Sequence, residues 1–299
     1  MDWETESYPE YQDFVFIPFV ALFFPILRFL LDTFVFEALA KRMIYGNYRK
    51  VIKGDSIKRK KINKFKESAW KFTFFLSAQI YALCVIYNEP WFTNIRYFWI
   101  GPGDQVWPDL KLKLKMKVAH MYAGGFYLYS IFSLIYWETR RSDFAASQIH
   151  HLTSLAFALL SYIFGMGRVA SMITIIHDGS DVLLEFAKMS KYSGFHSIAD
   201  IFFGLFALAW LLLRLIYFPF WIIWSTSYEV LFIVDKKHQN IGGIILYSMV
   251  NSILVCLLLL HIYWWTLICR IIMNQILKKD HVDDVRSDSE SDEDEHKQS

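Results

Sequence analysis

Apolar residues run along the chain in seven stretches, each near the length of about 20 residues that a helix needs to cross a bilayer. They cover residues 14–36, 70–87, 118–137, 144–164, 168–187, 201–224 and 244–273. Short polar or glycine-containing segments separate them, and no two-residue alternation of sheet type is sustained, so the pattern predicts an all-α membrane protein of about seven transmembrane helices. The first stretch is the least regular, because Pro18, Pro25, Arg28 and Asp32 interrupt it. The leader before it carries Asp2, Glu4, Glu6 and Glu10 rather than the basic residues of a signal peptide, so it reads as an uncleaved helix.

Composition agrees: of 299 residues, 55% are hydrophobic, 18% aromatic and 20% charged, more apolar than a soluble domain requires. A net charge of +2 conceals a polar distribution, with acidic residues at both ends and a basic segment between the first two stretches. That segment holds Lys41, Arg42, Arg49, Lys50, Lys53, Lys58, Arg59, Lys60, Lys61, Lys64 and Lys66, which predicts a cytosolic location. Alternation then makes the amino terminus non-cytosolic and the carboxyl terminus cytosolic. Arg140, Arg141, Lys188, Lys191, Lys278 and Lys279 agree, whereas Lys111, Lys113, Lys115 and Lys117 fall on the opposite side. Those four alternate with apolar residues, as an interfacial strand or a snorkelling helix start would, and the sequence does not decide between the two. The cysteines Cys84, Cys256 and Cys269 lack metal-ligand spacing and read as packing residues.

Ionisable groups cost free energy in hydrocarbon unless they face a cavity or each other, which marks those of the fourth and fifth stretches as functional candidates. His150 and His151 are adjacent on the fourth, while His177, Asp178 and Asp181 fall at i, i+1 and i+4 on the fifth, with Glu185 a turn further on. If the chain reverses at Gly165, Met166 and Gly167, His151 and Asp181 each lie 15 residues from the turn, at one level. A carboxylate beside an imidazole fixes its tautomer and favours its cationic form, as a nucleophilic or general-base histidine requires. The simpler alternative is an interhelical hydrogen-bond network. Two pairs at matched depth favour chemistry. His120, His196, His238, His261, His281 and His296 have no partner motif and read as structural or surface residues. The nine histidines also lack the HxxxH and HxxHH boxes of membrane di-iron hydroxylases, so neither a metal nor a cofactor is expected.

At these positions the chain resembles the ceramide synthases, the TLC-domain family that carries the longevity-assurance motif, and most closely its plant branch. The resemblance rests on RRSDF before the double histidine and on HDGSDVLLEFAKMSKYSGF, and it extends from about residue 65 to 273. Ser154 and Ala170 stand where the family often has Thr and Gly. The resemblance implies a six-helix TLC-type barrel around a central cavity, preceded here by one extra helix. The chain then divides into residues 1–64 (leader, first helix and basic loop), 65–277 (TLC domain) and 278–299 (acidic tail). The implied activity is acyl transfer from acyl-CoA to the amine of a sphingoid base, at the endoplasmic reticulum membrane, with membrane lipids around the protein and no nucleic-acid partner. Homo- or hetero-dimers are compatible with it. On this resemblance His150, His151, Asp178 and Asp181 are catalytic, His177 and Glu185 supporting, and Arg140 and Arg141 candidates to bind the anionic CoA. The loop 225–243 becomes a candidate for acyl-chain selection. A non-catalytic lipid transporter or lipid-sensing scaffold is the competing reading, and it leaves the full His-His and HDxxD set without a purpose.

The tail, residues 286–299, is too acidic and too poor in apolar residues to fold alone. The tail is expected to be cytosolic and disordered; Ser287, Ser289 and Ser291 each precede an acidic residue by three positions, the pattern an acidophilic kinase reads, so it is either a target for phosphorylation or a plain solubilising tail.

Overall fold

The computed structural model describes residues 2–45, 56–233 and 241–278. Arg49, Lys50, Lys53, Asp235, Lys236, Lys237, His238 and the acidic tail lie outside the described residues, so the expectations placed on them stay as they were.

Five helical stretches are long and apolar enough to cross a membrane: Tyr11–Ile44, Arg59–Ile86, Leu114–Tyr136, His196–Ile233 and Gly243–Leu277. The first comprises α1 (Phe16–Leu31), a π-helical turn (Asp32–Phe36) and α2 (Glu37–Tyr45). Next come α3 (Ser56–Ile86) and α4 (Leu114–Tyr136). The fourth comprises α7 (His196–Ala209), two π-helical stretches (Trp210–Ile223 and Ser225–Glu229) and α8 (Val230–Ile233), and the fifth is α9 (Ile241–Lys278). The remaining two expected spans form α5 (Phe144–Ile163) and α6 (Gly167–Tyr192), where the sequence places them. They fall short on apolarity because they carry the histidines and carboxylates, and they pack against their neighbours, α5 on α4 and α9, α6 on α3 and α7. The outer face of the first span exposes Phe19, Phe23, Ile26, Phe29 and Phe34, the belt expected of a helix facing lipid.

Small residues let α1 approach α4. A Cβ at Gly125 would stand 2.6 Å from Val20, so only glycine permits this spacing. Above that crossing Phe24 is surrounded by Trp70, Phe74, Tyr122, Phe126 and Tyr129. The α5–α6 reversal occurs at the expected glycines. Gly165 has φ of +69°, and a Cβ there would stand 2.4 Å from the Pro108 carbonyl oxygen. Gly165→Ala is therefore expected to cost about 1–2 kcal/mol in backbone strain before any clash, seen as a lower thermal unfolding midpoint in detergent. An unchanged midpoint would mean the turn relaxes freely.

At the Gly165 end the described chain forms a cap. Trp107 donates to the Phe164 carbonyl, and Arg168 to the carbonyls of Tyr97 and Ile100. The dissenting lysines belong to this cap, and both readings of them are realised in succession. Leu112–Lys113 forms a strand (β2) that pairs antiparallel with Glu6–Ser7 (β1), and α4 starts at Leu114. These two-residue strands modify the all-α expectation only locally. Lys113 contacts Glu4 and Glu89 at 2.9 Å each, Lys115 contacts Glu4 at 2.5 Å, and Lys117 contacts Asp13 at 3.1 Å. The Lys115 and Lys113 ammonium groups hold the Glu4 carboxyl below its ordinary range. Neutralised by the acidic leader, these lysines cease to act as isolated positive charges.

Three expectations change. The basic residues Lys58 to Lys66 are not a loop but the first turns of α3. The loop expected at 225–243 is helical through Ile233, because Ser225 accepts from Trp99 and Asn251 of α9 ties down Thr226 and Ser227. The three cysteines are unpaired, and Cys84 is exposed rather than packed.

Candidate functional site

Between α3, α4, α5, α6, α7 and α9 lies a cavity of about 240 Å³. Its lining includes His150, His151, His177, Asp178, Asp181 and Glu185, so the antiparallel pairing of α5 and α6 brings the motif residues to one space. Toward the basic end the lining includes Lys64, Arg141, Lys188 and Lys191, and toward the interior Tyr127, Phe206 and Trp210. A smaller cavity of about 50 Å³, lined mainly by apolar residues such as Ala78, Ala82 and Ala123, meets the first at Tyr127 and His177.

The rings of His150 and His151 are 5.6 Å apart, and Trp264 presents an edge to His150 at 5.3 Å. Nδ1 of each histidine is buried without a protein partner, which leaves both imidazoles uncommitted to the scaffold. His150 also stacks on His177, at 6.4 Å and 23°. His177 is committed. Its Nδ1 lies 2.7 Å from the Ile173 carbonyl and its Nε2 lies 2.9 Å from Nε2 of His261.

The carboxylates do not pair with the histidines as the helical levels suggest. Asp181 Oδ2 lies 2.8 Å from Arg214, a residue 2% exposed whose guanidinium also donates to the His177 carbonyl at 2.8 Å and to Ser180 at 3.0 Å. The same guanidinium lies 4.0 Å over the Trp210 ring. Asp178 is buried and contributes to the cavity wall. Glu185 faces Lys188 at 2.7 Å.

Arg141 lines the cavity but is held by Glu67 at 2.8 Å. Glu67 also faces Lys71, which reaches Glu138 at 2.5 Å. The basic end is therefore a network of alternating charge, not a bare cationic patch. Arg140 is not part of it. Its side chain is exposed and covers Phe144 at 4.5 Å, away from the cavity lining.

Sequence reasoning missed Arg214, His261, Glu67, Lys71 and Glu138. The first two sit alone in the apolar runs LLLRLIYF and LLLLHIYWW, where the cost of an intramembrane charge is itself a functional signal. The π-helical register around Arg214 is a second signal, because Pro219 has no N–H to complete an α-helical ladder and such widened turns recur at functional sites. Among the described residues no group of three or more His, Cys, Asp or Glu side chains is arranged to hold a metal ion.

Comparison with known proteins places this geometry. The chain is 61% identical over 295 residues to the Alternaria stem canker resistance protein 1 of Solanum lycopersicum, covering 98% of this chain and 96% of that one. It is 57% identical over 298 residues to Ceramide synthase 1 LOH3 of Arabidopsis thaliana, covering 99% and 96%. With Ceramide synthase 5 of Homo sapiens the identity is 33% over 230 residues, 77% of this chain and 55% of that one. The family model for the TLC domain matches residues 64–270, which contain every cavity-lining residue named above, and the chain belongs to that family.

Proposed function

We propose that the protein is a ceramide synthase, an acyl-CoA-dependent sphingoid-base N-acyltransferase of the endoplasmic reticulum membrane. The observation that carries this reading is the convergence of His150, His151, Asp178 and Asp181 on one cavity, in a chain similar over nearly its whole length to named ceramide synthases. The rest of the cavity suits the substrates. A basic end with Lys64, Lys188 and Lys191 offers charge to the CoA phosphates and would face the cytosol, together with the C-terminus. Apolar walls continuing past Tyr127 suit a hydrocarbon chain. Helices α3 to α9 would form the six-span barrel around it, with α1 outside.

The chemistry assigned to the site is a double displacement. His150 attacks the thioester carbonyl carbon; a C–N bond forms, the C–S bond breaks, and the CoA thiolate takes up the proton that the acyl-imidazolium loses from its other ring nitrogen. The amine of the sphingoid base then attacks the acyl-imidazole carbon, forming the amide as the imidazole departs. His151 takes the proton the amine loses and passes a proton to the departing His150 imidazole, so both histidines return to their starting state. Arg214, holding Asp181 and the His177 carbonyl, fixes α6 against the π-helical extension of α7 so that the two histidines face a rigid wall.

Microsomes containing the protein, given labelled sphinganine and palmitoyl-CoA, should form labelled ceramide, and failure to do so with correctly inserted protein would defeat the reading. Without the base, the enzyme should release free CoA in a single-turnover amount and gain the mass of one acyl group at His150 or His151. If neither signal arises in a preparation that turns over normally, the amine attacks the thioester directly and histidine acts only as base.

A further inference from the structure

Glu138 belongs to neither the double-histidine nor the HDxxD motif. It sits on the segment that joins α4 to α5, yet it lines the cavity together with His151 and Lys71. Its side chain is only 7% exposed. The carboxylate that the helical levels assign to a histidine, Asp181, is engaged by Arg214. The charged groups whose fields reach His151 are instead Glu138 first and Lys71 second. At His150 they are its neighbouring histidines and Arg214.

Groups from three helices fix the position of Glu138. Lys71 of α3 contacts one carboxylate oxygen at 2.5 Å, and the Ser133 hydroxyl of α4 lies 3.2 Å from the other. Ser133 is anchored in turn by Arg28 of α1, a residue 2% exposed that donates to it at 2.8 Å and to Tyr129 at 2.9 Å. The backbone beside Glu138 is pinned as well, since the Thr139 N–H donates to Glu67 at 3.1 Å. Helix α1 precedes the matched domain, so through Arg28 a helix outside that domain reaches the cavity wall.

We infer that Glu138 is a positioning residue for the N-acyl transfer: Lys71, Ser133 and Arg28 hold it where its negative charge steadies the proton that His151 takes from the attacking amine. The inference rests on the proposed reaction. In the second half of that reaction positive charge appears on the His151 imidazole, and a fixed anion in a site shielded from water stabilises it without having to reorganise. Lys71 opposes the effect, but its charge is divided between Glu138 and Glu67, the latter at 3.4 Å. In the first half the charge develops on His150, which Glu138 does not serve. Glu138 therefore acts on transfer to the amine and leaves attack on the thioester alone.

The test compares Glu138→Gln, which keeps shape and an acceptor oxygen but loses the charge, with Glu138→Asp, which keeps the charge one methylene short, in purified full-length protein. With sphinganine and palmitoyl-CoA, Glu138→Gln is expected to lower kcat by about tenfold or more, with both KM values within about twofold of wild type. Glu138→Asp should recover kcat to within about threefold. Given palmitoyl-CoA alone, both variants should release as much CoA in a single turnover as wild type does. If wild type releases none without sphinganine, kcat and its recovery in Glu138→Asp decide. The double variant Lys71→Gln with Glu138→Gln removes both charges of the pair and decides if Glu138→Gln does not fold. It should stay at least about fivefold below wild type in kcat, because Glu138 outweighs Lys71 at His151. Wild-type kcat in Glu138→Gln or in the double variant would overturn the inference. So would equal impairment of Glu138→Gln and Glu138→Asp, or a loss of single-turnover CoA release as large as the loss of kcat. If the wild-type protein makes no ceramide, the N-acyltransferase reading fails and takes the inference with it; a wild type that turns over beside an unimpaired Glu138→Gln defeats the inference alone.

Discussion

Replacing His150 or His151 with alanine is expected to lower ceramide formation by at least about a hundredfold while leaving the protein inserted and folded, since a nucleophile or general base contributes about 10²- to 10⁴-fold. The fold should tolerate the change because neither Nδ1 is hydrogen-bonded to the protein and both rings border an existing cavity. The ring packing lost is confined to the Trp264 edge and the His177 stack on His150 and the contact between the two histidines. The two variants should differ in the half reaction they stop. His150→Ala should release no CoA without a sphingoid base, whereas His151→Ala should still release CoA once and stall with the acyl group attached. The check is ceramide formation and single-turnover CoA release at matched protein levels. Near-normal ceramide formation by both variants would falsify the catalytic assignment, and a stalled acyl-enzyme in His150→Ala alone would exchange the two roles.

Arg214→Met should be the most damaging substitution outside the histidines. It strips the partner from Asp181, whose side chain is 21% exposed on the cavity, and a donor from the buried His177 carbonyl, so the cost lies below the ~3–5 kcal/mol of breaking a fully buried pair from one side. We expect a lower thermal unfolding midpoint and loss of activity together. Arg214→Lys should recover little of either, because an ammonium cannot satisfy Asp181, Ser180 and a carbonyl from one planar fork while covering Trp210. The double variant Arg214→Met with Asp181→Leu separates the two effects, since removing both charges should restore much of the midpoint without restoring turnover. Activity within twofold of wild type in Arg214→Met would show that the pair is dispensable.

Much of this arrangement was legible in the chain because it is local. The spans follow from apolar run length, and the meeting of His150, His151, Asp178 and Asp181 in one cavity follows from a hairpin whose turn residues, Gly165 and Gly167, are visible in sequence. What escaped is what depends on partners far along the chain. Asp181 looks like a mate for a histidine fifteen positions on the other side of the turn, but Arg214 outcompetes it with a full charge at 2.8 Å. Arg214 and His261 each stand in a long apolar run that averages them away, and only the packing of α7, its π-helical extension and α9 against α6 and α5 brings them together. Arg140 and Arg141 are neighbours in sequence, yet the start of α5 sends one onto Phe144 and the other to Glu67. Lys113, Lys115 and Lys117 resisted assignment for the same reason, since their acids are Glu4 and Asp13 of the leader and Glu89 after α3.

That cap carries a consequence for how the chain is assembled during synthesis. Glu4 and Lys115 are 111 residues apart, and the Tyr8 carbonyl and Lys117 are 109 apart, so the leader's acceptors leave the ribosome about 5–20 s before the lysines that hold them. During that interval α1 has neither the cap nor the glycine face of α4 to pack on. The first helix must wait in the bilayer for the third span to arrive, and the leader closes over the bundle only afterwards. Biogenesis therefore has an obligatory order, and a pause in translation between α3 and α4 would prolong the stage at which the acidic leader is unpartnered.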